Sequence, residues 1–148
     1  MKKGLLALCF MACSALSVTS FAQNKVSDAQ RRINAAVMAV YNEELAKNPY
    51  DYALLYSRAN QYFLNGEYLK SLEDINNSLK YMPKSDESTM FEAHVLRAKI
   101  YVIRKENAAA IMDLKIANTI KPTDQHTLLL LGNMCVESGD LESARTAY

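Results

Sequence analysis

Tryptophan is absent from the chain, and only three prolines and four glycines are spread over its 148 residues. Such sparse punctuation excludes a turn-rich β-fold and a low-complexity linker, and leaves helices as the reading. Cysteine is equally scarce, with three residues at Cys9, Cys13 and Cys135. An excess of one charge is missing too, since 17 basic residues stand against 16 acidic ones and no basic run appears. That balance excludes a surface built to grip nucleic-acid phosphates. What the chain does have is apolar residues, 50% of the total, enough for one continuous core and too many for a disordered segment.

Residues 1–22 read as a secretory signal. Lys2 and Lys3 precede an apolar run from Leu5 to about Val18, and Ser20 and Ala22 supply small residues for cleavage after Ala22. A membrane-spanning helix needs about 20 apolar residues, whereas this run is shorter and is followed by Thr19 and Ser20. No membrane span is therefore expected after cleavage. Export, to the periplasm in a double-membraned bacterium, follows from this reading, with lipid attachment through Cys13 as the alternative. Loss of Lys2 and Lys3 leaves a net charge of about −1, and loss of Cys9 and Cys13 leaves Cys135 as the single thiol. A disulfide within the mature chain and a multi-cysteine zinc site are both excluded.

The remainder repeats. Pro49, Pro83 and Pro122 are separated by 34 and 39 residues. Tyr62, Tyr101 and Cys135 follow at 39 and 34, as do Ala59, Ala98 and Gly132, and Ser71, Ala110 and Ala144. A period of this size marks a repeat architecture whose unit is one pair of helices. Apolar residues three and four apart predict helices over Asp51–Asn65 and Tyr68–Tyr81, Asp86–Arg104 and Asn107–Lys121, and Asp124–Ser138 with another from Leu141. Ser27–Lys47 predicts one further helix, a half repeat within 23–48 that covers the first full one. The expected boundaries are 1–22, 23–48 and 49–148, the last divided into 49–83, 84–122 and an incomplete 123–148.

In register, Leu55, Arg58, Ala59, Tyr62, Ser71, Ile75, Ser78 and Pro83 of the first repeat are matched by His94, Arg97, Ala98, Tyr101, Ala110, Leu114, Ala117 and Pro122 of the second. Leu128, Leu131, Gly132, Cys135, Ala144 and Tyr148 continue the pattern in the third. This arrangement resembles the tetratricopeptide repeat, which implies an all-α solenoid of antiparallel helix pairs, about two and a half repeats behind an N-terminal helix. The second repeat departs from it by carrying Lys105 where Gly66 and Gly139 stand in the others.

The resemblance implies a non-catalytic scaffold that binds a protein or peptide partner along the concave face of the first helix of each repeat. That face holds Tyr56, Asn60 and Phe63, then Val95, Lys99 and Val102, then Leu129, Asn133 and Val136. The apolar members would line the groove, with Asn60, Lys99 and Asn133 as a polar row suited to an apolar segment carrying an acid. Coverage by a later part of the chain is the competing expectation, as is a role as the sensory or docking portion of a larger exported enzyme or transport assembly continuing past Tyr148.

Two charged positions depart together from the family pattern. Arg58 and Arg97 replace the usual leucine, and each has an aspartate 16 residues on, Asp74 and Asp113. The third repeat has Leu131 and Ala147 at those places, so charge accompanies charge. Structural ion pairs between the helices of each repeat are expected, with an anion site using both arginines as the alternative. His94 and His126 stand on different repeats, and no metalloprotease, nucleophile-elbow or phosphate-loop motif occurs, so neither a catalytic site, a metal site nor a cofactor is expected. His94 and Cys135 read as packed core residues.

Overall fold

The helices start and stop where short-range chemistry dictates. In the computed structural model, which describes residues 28–147, α1 occupies residues 28–47. It is followed by α2 (Tyr52–Leu64), α3 (Tyr68–Tyr81), α4 (Glu87–Ile103), α5 (Asn107–Ile120), α6 (Gln125–Ser138) and α7 (Leu141–Ala147). No strand occurs among the described residues. The chain divides after Val40 into two units, and the helix pairs all lie in the second, Tyr41–Tyr148. Of the first unit, residues 28–40 are helical. The expected signal segment with cleavage after Ala22, the alternative at Cys13 and the register position of Tyr148 fall outside the described residues.

An aspartate opens the first helix of every repeat. The Asp51 carboxylate accepts hydrogen bonds from the Ala53 and Leu54 amides at 3.1 and 3.0 Å. Asp86 accepts from Thr89 N at 3.1 Å and Asp124 from Thr127 N at 2.8 Å. Each satisfies an amide that the first turn leaves without a helical partner. The first helices also end alike. Beyond α2, Gly66 has φ +79° while Glu67 N donates to Tyr62 O, and beyond α6, Gly139 has φ +79° while Asp140 N donates to Cys135 O. Between α4 and α5 the same left-handed residue is Lys105, at φ +61°, with Glu106 N donating to Tyr101 O. The missing glycine therefore leaves the turn geometry unchanged and moves its cost onto the lysine backbone.

Within each repeat the two helices pack closely because the facing residues are small. Ala59, Ser71, Ala98 and Ala110 are fully buried, and Ser71 Oγ donates to Ala59 O across the interface at 2.6 Å. A hydroxyl in this contact binds the facing carbonyl, which alanine could not do. Ser78 Oγ repeats the device on Tyr52 O at 2.8 Å. Around the first contact lie Ile75, Met82, Ala93, Leu96 and Ile100, and around the next lie Leu114, Leu131, Met134 and Cys135. Since these clusters draw residues from successive helix pairs, a repeat is completed by its neighbour. α4 is 17 residues long against 13 for α2 and 14 for α6. The extra length lies at its start, where Met90 packs against the first cluster.

Candidate functional site

Residues four and three apart on a helix share a face, so α2 presents Tyr56, Asn60 and Phe63 together and α4 presents Glu92, Val95 and Lys99. The two faces bound a depression of about 290 Å³ lined by Tyr56, Asn60, Phe63, Leu64, Phe91, Glu92, Val95, Leu96 and Lys99. Five of the nine residues expected from the sequence are thus brought to one place. Its walls are joined by the Tyr56 hydroxyl, which donates to Glu92 Oε2 at 3.1 Å. Burial, reinforced by the Glu92 charge and hydrogen bond, pushes the Tyr56 phenol up to about 12, so the hydroxyl keeps its proton and remains a donor.

Polarity in this depression is unevenly used. Glu92 is engaged by Tyr56, while the Asn60 amide and the Lys99 ammonium form no hydrogen bond or ion pair among the described residues. Val95, expected in the apolar lining, does line the depression and is only 8% exposed. It packs with Phe91, Ala117 and Ile120 and forms floor rather than rim. The other four expected residues lie elsewhere. Val102 packs against the second core cluster, while Leu129, Asn133 and Val136 are exposed along α6. Leu129 borders a different depression, with Gln125, Leu128 and Ala147.

Phe91 went unread in the sequence, although its register mate in the first repeat, Tyr52, is also aromatic. The Lys121 ammonium stands 4.4 Å from the centre of the Phe91 ring.

The charged pairs form nodes between helices. Arg58 Nε and Nη2 donate to Asp74 Oδ2 and Oδ1 at 2.7 and 2.8 Å, and Nη1 donates to Asn42 Oδ1 at 2.9 Å. Arg97 repeats this on Asp113, with 2.7 Å to each oxygen, and on Asn76 at 2.8 Å. Each arginine therefore ties the preceding helix to both helices of its own repeat. His94 Nδ1 adds a contact of 2.8 Å to Asp113 Oδ1. Burial pushes the Asp113 carboxyl up, but the hydrogen bonds from Arg97 and His94 outweigh it and hold the carboxyl below the usual range. With an ionised acceptor opposite, His94 Nδ1 must carry the proton. Three of the five N–H donors of each guanidinium are spent on these internal partners, which favours structural pairing over an anion shared by the two arginines.

His126 is exposed on α6, and no cluster of metal-binding side chains occurs among the described residues. Cys135 is fully buried, and burial pushes its thiol up, a setting that keeps the sulfur protonated.

Comparison with known structures places this geometry within a known fold. Two crystal structures of MamA superpose with TM-scores of 0.68 and 0.67 over 80% of this chain, covering 68% and 64% of their own chains at 19% and 20% identity. The chain has the tetratricopeptide-type fold. Bacteriophage adsorption protein A of Escherichia coli (strain K12) is 31% identical over 85 residues, 57% of this chain. The chain spans about 8% of the length of that relative. No protein-family model matches the chain. No helix among the described residues is long and apolar enough to cross a membrane.

Proposed function

We propose that the chain is a non-catalytic scaffold that takes a peptide or partner segment in the groove between α2 and α4, after export and removal of residues 1–22. The observation that carries this reading is the gathering of Tyr56, Asn60, Phe63, Val95 and Lys99 around one depression in which Asn60 and Lys99 are unengaged. An amide can serve both the donor and the acceptor of a ligand backbone, and an unpaired ammonium half-covered by apolar walls favours a carboxylate. Arg58, Asp74, Arg97 and Asp113 are structural in this scheme and fix the helices that carry the groove. Leu129, Asn133 and Val136 extend the same face along α6 for a longer partner.

Affinity capture from a native cell-envelope extract tests the reading, comparing the mature chain with a variant carrying Tyr56→Ala, Asn60→Ala and Lys99→Ala. A partner retained by the parent and lost by an equally helical variant supports the groove. Identical capture by both reduces the depression to packing surface. A second reading, the docking portion of a larger exported assembly, is favoured by the match to a small share of a much longer relative. The two readings differ in whether a catalytic or transport segment is joined to these repeats, and the full reading frame distinguishes them.

A further inference from the structure

The lining of the depression between α2 and α4 includes one acid and one base, and they do not answer each other. Glu92 and Lys99 both belong to it, on the same side of α4 and about two turns apart, roughly 10 Å along the helix axis. Lys99 has no ion pair among the described residues. The Glu92 carboxylate accepts the Tyr56 hydroxyl on Oε2 at 3.1 Å, while its Oε1 accepts no hydrogen bond among the described residues. That hydroxyl keeps its proton and is neutral, so it holds the carboxylate toward α2 without cancelling its charge. Val95 and Leu96, which lie between the two charges in the chain, give the depression an apolar stretch of α4.

We propose that the groove selects a peptide segment bearing one basic and one acidic side chain around an apolar one, the base on Glu92 and the acid on Lys99. A carboxylate with one oxygen already fixed by a neutral donor still has acceptor capacity for an ammonium or guanidinium. Discrimination comes as much from repulsion as from pairing. A segment with two acids sets a like charge against Glu92, and one with two bases sets a like charge against Lys99. Because lysine and its partners reach over flexible stems, the signature is the pair of opposite charges rather than a fixed interval between them. The inference rests on the peptide-groove reading and adds to it the cation that Glu92 requires of the ligand.

Selection of a displayed library of random eight-residue peptides on the immobilised mature chain tests it, with Glu92→Lys and Lys99→Glu as separate baits checked for unchanged helicity. The parent should enrich peptides with one base and one acid around an apolar residue, Glu92→Lys peptides with two acids, and Lys99→Glu peptides with two bases. Should either reversal lose helicity, Glu92→Gln or Lys99→Gln replaces it and should erase the preference for the charge it faced. A synthetic peptide of the parent's pattern should bind about fivefold more tightly than versions with glutamine in place of either charge. Enrichment of uncharged, purely acidic or purely basic peptides by the parent, or a charge pattern that survives either substitution, would overturn this inference and leave the groove reading standing. No enrichment by the folded parent would overturn both.

Discussion

Asp113 receives three hydrogen bonds on two oxygens while 3% exposed, two from Arg97 and one from His94. Removing one partner from such a set leaves a charge buried without its counter-ion, which costs about 3 kcal/mol or more, whereas replacing both charges by apolar groups of matching shape is far cheaper. The third repeat displays the apolar solution, with Leu131 5% and Ala147 7% exposed at the equivalent places. We therefore expect Asp113→Ala to lower stability by about 3 kcal/mol and the double variant Arg97→Leu with Asp113→Ala to lose only about 1 kcal/mol, measured by urea unfolding. A double variant as unstable as the sum of the two single ones would show that the residues do not act as a unit. Asp74→Ala should likewise destabilise the first node while peptide binding per folded molecule is retained, because the Asp74 carboxylate faces Arg58 and lies outside the groove lining.

At the scale of the helix and its turn, the same hydrogen-bonded reversal is made twice with glycine and once with Lys105. A β-carbon at Gly66 or Gly139 would meet nothing within 4 Å, so any penalty for alanine there belongs to the backbone alone. Gly66→Ala should cost about 1 kcal/mol, and Lys105→Gly should gain up to about 1 kcal/mol, since relief of the left-handed strain exceeds the added freedom of the unfolded chain. Thermal unfolding of the two variants checks this, and a destabilised Lys105→Gly would mean that the lysine side chain contributes more than its backbone loses. Elements of this kind were legible in the sequence because their signals are local: Pro49, Pro83 and Pro122 space the repeats, and Asp51, Asp86 and Asp124 stand where the first helices begin. The 16-residue spacing from arginine to aspartate also survived translation into space. Asn42 and Asn76 did not, since an exposed helical asparagine resembles any solvated residue and its partner lies in another helix. Their own separation of 34, one repeat, was the available signal. The groove was only half legible. Face periodicity predicts which side chains point the same way, but the extent of a depression depends on how neighbouring helices close over it, and that closing put Val95 on the floor and left α6 outside.

For the molecule as a whole, repeats that complete one another's cores make stability a property of neighbouring pairs. The Arg97 node spans such a junction, joining Asn76 on α3 to α4 and α5. Carboxylates that hold these junctions and open the helices are also depressed in the folded state. Asp113 is pushed up by burial but held down more strongly by Arg97 and His94, while Asp86 is lowered by hydrogen bonding to Thr89, Asp124 by hydrogen bonding to Thr127 and Asp140 by hydrogen bonding to Ser143. A carboxyl with a depressed folded value favours the native state at every pH above its unfolded value of about 3.9, and that contribution disappears as pH falls through the folded values. The thermal midpoint should accordingly be insensitive to these groups from pH 8 to about 5 and fall steeply below about 4. Asp113→Asn, already destabilised at neutral pH, should show a shallower fall, because one carboxylate has been withdrawn from the acid transition. A midpoint that declines mainly between pH 7 and 5 would show that these carboxylates do not set the acid sensitivity of the fold.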